Sequence, residues 1–202
     1  MPKRINRAYK KGAPFRDFRK FVIIAEGERE DKYFTYFNGV NGRIQIAIVQ
    51  RNESRSAIKH FISRAESYID KEGLEDEDAL WFVFDIDKWP REQIEEIADA
   101  CSVNPNWNVA ISNPCFEVWL FYHIVEKIDS SYHNATILKN ELNTLVFGGY
   151  NRDYYAKLIK IASINSAKKD TNKIHHLPDF LTTKVYLLAD EMLKFLGNNW
   201  AK

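Results

Sequence analysis

Four short apolar runs constrain the chain more than anything else in it: "KFVIIAE" at 20–26, "RIQIAIVQ" at 43–50, "ALWFVFD" at 79–85 and "WNVAIS" at 107–112. Each is rich in β-branched or aromatic residues and bounded by Gly, Asn, Asp or Pro, the mark of a strand that is buried rather than half-exposed. The stretches between them carry apolar residues at three-four spacing: Tyr33, Phe34 and Phe37, then Ile58, Phe61, Ile62, Ala65 and Ile69, then Ile94, Ile97, Ala98 and Cys101. That spacing predicts amphipathic helices. Strands alternating with crossover helices give a mainly parallel sheet covered on both faces, so the expected fold class is α/β with four strands.

Beyond about residue 130 the pattern changes. Leu138, Leu142 and Leu145, then Leu158, Ile159 and Ala162, then Val185, Leu188, Met192 and Phe195 predict three helices and no further strand. The expected organisation is a basic arm over 1–19, an α/β domain over 20–130 and a C-terminal helical region over 131–202. The arm stands out electrically. Residues 1–20 hold eight basic side chains and one acid in a chain whose net charge is only +1, so the remainder is acidic. A basic arm on an acidic body suits a phosphate backbone, and it equally suits a solvated tail.

No apolar stretch reaches the length of a membrane span, and "MPKRINRAYKKG" lacks the apolar segment of a secretory signal, so a cytoplasmic protein is expected. Cys101 and Cys115 form no CxxC pair, which argues against a disulfide framework and a structural zinc site.

In a parallel sheet the strand ends gather along one edge. Glu26 closes the first strand and Asp85 the third, with Asp87 two residues on. Three carboxylates in one small volume call for a cation, and Mg²⁺ or Mn²⁺, which prefer oxygen ligands, would suit Glu26, Asp85 and Asp87. Two local readings compete. Asp87 would also serve as the N-cap of a helix beginning near Pro90, and in "SNPCFEVW" Asn113 would be an N-cap, Pro114 the first helical residue and Glu117 a first-turn acid. On the functional reading Glu117 faces the metal site. Lys88 is either a partner for phosphate charge or a surface ion pair with its acidic neighbours, and Lys157, Lys160, Lys168 and Lys169 fit either a nucleic-acid track or a solvated helix face. Trp81 and Trp119 belong to the core, Trp89 stands beside the acids, His123 reads as a satisfied buried histidine, and His175 and His176 are expected to point apart.

"VIIAEGEREDKYF", "WFVFDIDKW" and "ISNPCFEVWLFYH", in this order and at these separations, resemble the three signatures of the RloB-like family, whose core is similar to the Toprim fold. "YYAKLIKIASINSAKK" and "LTTKVYLLADEML" are similar to its C-terminal part. The resemblance implies a Mg²⁺-dependent phosphoryl-transfer site, with Glu26 at the Toprim glutamate, Asp85 and Asp87 at the DxD, Glu30 as the second acid of the "EGxxE" turn, and Glu117 in "SNPxFExW". It also implies a role in phage defence or restriction beside an ABC/SMC-type ATPase. The expected activity is hydrolysis of phosphodiesters in DNA or RNA by water, with Glu30 or Glu117 as general base and self-association left open. The alternative is a non-catalytic binding or regulatory subunit of that ATPase. A nucleotidyltransferase is disfavoured because no Gly-Ser turn precedes Asp85.

Overall fold

The four apolar runs do become strands. A computed structural model describes residues 18–51, 57–146, 149–197 and 200. Its elements run β1 (Arg19–Ala25), α1 (Glu28–Thr35), β2 (Ile44–Ile48), a 3-10 turn (Ile58–His60) leading into α2 (Phe61–Glu72), β3 (Ala79–Asp85), α3 (Arg91–Val103), β4 (Trp107–Asn113), α4 (Glu117–Phe121), α5 (Ala135–Leu145), α6 (Arg152–Lys157), α7 (Ile159–Lys169), β5 (Thr182–Thr183) and α8 (Val185–Leu196). The expected basic arm lies outside the described residues except for its last two, Phe18 and Arg19.

The sheet has the order β2-β1-β3-β4-β5, with the first four strands parallel and β5 antiparallel to β4. β3 is buried along its whole length and β1 along all but its first two residues, which is why their sequences are apolar without alternation. Alternate side chains nevertheless serve different layers. Phe21, Ile23, Ala25, Trp81 and Val83 pack with residues of α1, α4 and the helices after 130, whereas Val22, Ile24, Leu80, Phe82 and Phe84 pack against α2 and α3. Trp119 is fully buried and Trp81 nearly so, as expected.

Three expectations about the second half are corrected. The sheet has five strands rather than four, because Thr182 and Thr183 pair with Asn113 and Ser112, and the Ser112 and Thr183 hydroxyls stand 2.9 Å apart. Two residues carry no periodicity, so only their long-range pairing defines them as a strand. The helix expected around Leu158 is divided there: Leu158 adopts φ −99°, ψ 12° and separates α6 from α7, giving four helices after residue 130 in place of three. His175 and His176 do not diverge; their rings stack with centroids 4.7 Å apart at 19°, because the segment is a bend rather than a helix and the 100° rotation between helical neighbours does not apply.

His123 behaves as expected. Tyr33 donates to its Nε2 at 2.9 Å, its Nδ1 donates to the Trp119 carbonyl at 2.9 Å, and burial pushes the imidazole down to about 3, so it is neutral at physiological pH. Among the described residues no helix is long and apolar enough to cross a membrane.

Candidate active site

The chain turns in opposite directions at the ends of β1 and β3. After β1 it enters α1, whose Tyr33 and Phe34 join one layer; after β3 it proceeds to α3, whose Ile94 and Ile97 join the other. Helices leaving adjacent parallel strands to opposite faces open a crevice at the carboxyl edge, the usual ligand position in α/β sheets. Glu26 and Asp85 stand on the two sides of that crevice, and the Glu26 Oε2 accepts from the Asp85 backbone N–H at 3.1 Å. β4 ends at the same edge and leads to Glu117.

A cavity of about 300 Å³ opens here, lined by Glu26, Gly27, Glu30, Asp85, Glu117 and Phe116 with Glu28, Arg29, Lys88 and Lys139. Of the acids predicted from sequence, Glu26, Glu30, Asp85 and Glu117 thus meet on one cavity; Asp87 is solvent-exposed and does not line it, though its charge acts on Asp85. Asp87 is no helix cap: α3 is preceded by Pro90, with no side-chain capping bond. The capping reading of "SNP" fails as well. Asn113 is the last residue of β4, its amide donates to the Pro178 carbonyl at 3.1 Å, the Asn113–Pro114 bond is cis, and α4 begins only after Phe116. Glu117 does occupy the first turn of that helix.

Each acid has a distinct environment. Glu26 is held by donors: Trp89 Nε1 at 2.9 Å, Lys88 Nζ at 3.2 Å and the Asp85 amide. Lys88 is therefore an ion-pair partner, and Glu26 holds its ammonium above the ordinary range despite the opposing effect of burial. Glu117 is 3% exposed and pairs through Oε1 with Arg29. Asp85 is 7% exposed; burial first, then the charges of Glu30, Glu26, Glu117 and Asp87, push its carboxyl well above the usual range. Burial likewise pushes Glu30 up to about 7, with Glu26 and Glu117 adding to the rise. Partial burial and Glu26 raise Asp87.

Among the described residues no group of three or more His, Cys, Asp or Glu side chains is placed to hold a metal ion. The donor set still fits a hard divalent cation. Asp85 Oδ1 and Glu117 Oε2 are buried without a hydrogen-bond partner, a costly state for carboxylate oxygen, and every acidic group on the cavity offers oxygen rather than nitrogen or sulfur. Cys115, next to this wall, is raised far above its ordinary value by burial and by Glu117, which leaves it an inert thiol.

Sequence reasoning missed Gly27, Arg29 and Lys139. The signal for Gly27 was present in "EGERE", a glycine between two acids at a strand end. Its φ of −117° is open to any residue, so the glycine serves space rather than conformation. A Cβ there would lie 2.2 Å from Glu30 Oε2 and 2.9 Å from its Cδ. Gly27→Ala should therefore fold with a melting temperature within a few degrees of wild type while displacing the Glu30 carboxylate, and the loss of stability as pH rises through about 7, which the buried Glu30 carboxyl helps to set, should shrink. A pH–stability profile identical to that of wild type would show that Glu30 has kept its place.

No curated protein and no solved structure matches the chain. The family model described as RloB-like protein matches residues 21–192, taking in every strand but the first two residues of β1, the whole lining of the cavity and most of the C-terminal helices, and the chain belongs to that family.

Proposed function

We propose that the protein is a divalent-metal-dependent nuclease that hydrolyses phosphodiesters in DNA or RNA. One observation carries the reading: carboxylates delivered by the ends of β1 and β3 and by the segment after β4 line one cavity and leave buried oxygens without partners. Glu26 and Asp85 would hold Mg²⁺ or Mn²⁺, with Asp87 reaching in from the rim, and the bound ion would polarise the phosphate and make water a better nucleophile. Glu30 suits the general base, since its carboxyl is buried on the cavity wall and titrates near neutral pH. It takes the proton of the attacking water as the new P–O bond forms, and the leaving oxygen departs with a proton from solvent. Lys88 and Lys139, both exposed on the rim, sit where they would balance charge on the phosphate.

On this reading the core is Toprim-like, and an ABC/SMC-type ATPase from a phage-defence locus is the partner that the family resemblance implies. A second reading, a non-catalytic subunit of such an ATPase, draws on the observation that, among the described residues, no three such side chains are placed to hold a metal ion. The purified protein, incubated with plasmid, single-stranded DNA and total tRNA in Mg²⁺ or Mn²⁺, should cut at least one of them, and Glu26→Gln should lose at least about a hundredfold in rate. Cleavage indifferent to that substitution removes the mechanism; no cleavage and no metal binding favours the subunit.

A further inference from the structure

Arg29 occupies the place where the nuclease reading needs a cation. It lies in the first turn of α1, three residues after Glu26, and lines the cavity. Its guanidinium pairs with Glu117 and stands over the Tyr150 ring, with Cζ 5.3 Å from the centroid. The two partners differ in exposure: the Glu117 side chain is 4% exposed and the Arg29 side chain 36%. A carboxylate buried that deeply needs a positive neighbour, and here that neighbour is the more exposed member of the pair, seated on an aromatic ring. Lys88 on Glu26 is a weaker case, since its side chain is 54% exposed and water screens that pair.

We propose that Arg29 is a resident counter-ion of the cavity, held on Glu117 until a divalent cation replaces it, and that the released guanidinium, kept at the mouth by Tyr150, then binds the substrate phosphate. The inference rests on the nuclease reading and extends it. Glu117 carries a single charge, so a metal ion on its unpartnered Oε2 would weaken the hold of Oε1 on the guanidinium and repel it, and the two cations compete. Mg²⁺ takes few carboxylates and shares its remaining positions with water and substrate phosphate, so an ion held by the acids would bring a phosphate to the cavity that Arg29 also lines. A guanidinium matches two phosphate oxygens at once, which an ammonium does not. The chain thus carries a cation that keeps the acids compatible before the metal arrives and gains a new acceptor when substrate and metal arrive together.

The test uses the full chain and opposite signs. Calorimetric titration with Mn²⁺ alone, with Trp89 fluorescence as a second readout because its indole bonds Glu26, should show Arg29→Gln binding Mn²⁺ about tenfold more tightly than wild type. Anisotropy of a labelled single-stranded oligonucleotide in Ca²⁺ should show the same variant binding about tenfold more weakly, with Arg29→Lys between the two. A purely structural Arg29 would move both affinities the same way. If wild type binds Mn²⁺, Asp85→Asn does not, and Arg29→Gln matches wild type, the counter-ion proposal is wrong and the nuclease reading stands. If neither wild type nor Arg29→Gln binds Mn²⁺, both fall. Far-UV circular dichroism on each variant confirms the fold, and Arg29→Lys supplies the sign should the glutamine variant fail to fold.

Discussion

Asp85→Asn should yield a protein that is more stable without metal and inactive with it. The carboxyl is buried at the end of a central strand, with Oδ1 unpartnered and four other acids acting on it. Its folded value lies above its unfolded one, so between the two the native state holds more protons. The stability contribution is whole below about pH 4 and is lost as pH rises through the folded range of Asp85 and of Glu30, the latter about 7. An amide of the same shape removes the penalty and can donate to the neighbouring carboxylates. At pH 8 in chelator the variant should gain about 1–2 kcal/mol, the usual size of a stabilising change at a functional site, or roughly 2–8 °C for a chain of this length. The gain should shrink toward pH 5. In Mg²⁺ the order should reverse, since wild type would be stabilised by the ion and the variant would not. On the proposed function Asp85 would be a direct ligand, and since outer-shell partners of metals cost 10–100-fold when removed, its loss should cost at least about a hundredfold in cleavage rate. Thermal melts at pH 5 and 8, with chelator and with Mg²⁺, read all of this; a variant less stable than wild type at pH 8 in chelator would refute the strained-carboxylate account.

How much of this could be read in the sequence depended on how local the signal was. The strands β1 and β3 announce themselves because burial on both faces demands continuous apolar runs, and their shared carboxyl edge follows from parallel pairing alone. Glu26 and Asp85 could therefore be placed on one edge without coordinates. Arg29 could not, because nothing within a few residues of it betrays a partner at Glu117, 88 positions away. Asn113 and Pro114 misled for the opposite reason. Locally they spell a helix start, and long-range pairing of β4 with Thr182 and Thr183 overrides that spelling. Trp89 could be singled out by proximity to the acids, and its indole does donate to Glu26.

Lys184 lies within "LTTKVYLLADEML", where no sequence signal assigns it a role, and its removal should carry a large stability cost. It sits between β5 and α8, its backbone N–H bonding the Ile111 carbonyl at 2.7 Å, and its side chain is 1% exposed. The ammonium donates to Asp170 Oδ2 at 2.6 Å and to the Asn172 carbonyl at 2.5 Å, while Tyr186 donates to the same Asp170 oxygen at 2.6 Å. Burial alone would raise the Asp170 carboxyl, but the bonds from Lys184 and Tyr186 hold it below its ordinary range. The folded value is thus depressed, and this group's contribution is present at neutral pH and lost as pH falls through the acid range, the reverse of Asp85. Asp170 ends α7, so the pair ties that helix to the strand beside β4, and β4 in turn leads to Glu117. Lys184→Met keeps the volume but strands a buried carboxylate, and should cost about 3–5 kcal/mol by denaturant melts. Adding Asp170→Asn, which removes the charge while keeping an acceptor for Tyr186, should recover more than half of that loss. A double variant as unstable as the single one would mean that lost packing around Lys184, not the abandoned charge, sets the cost.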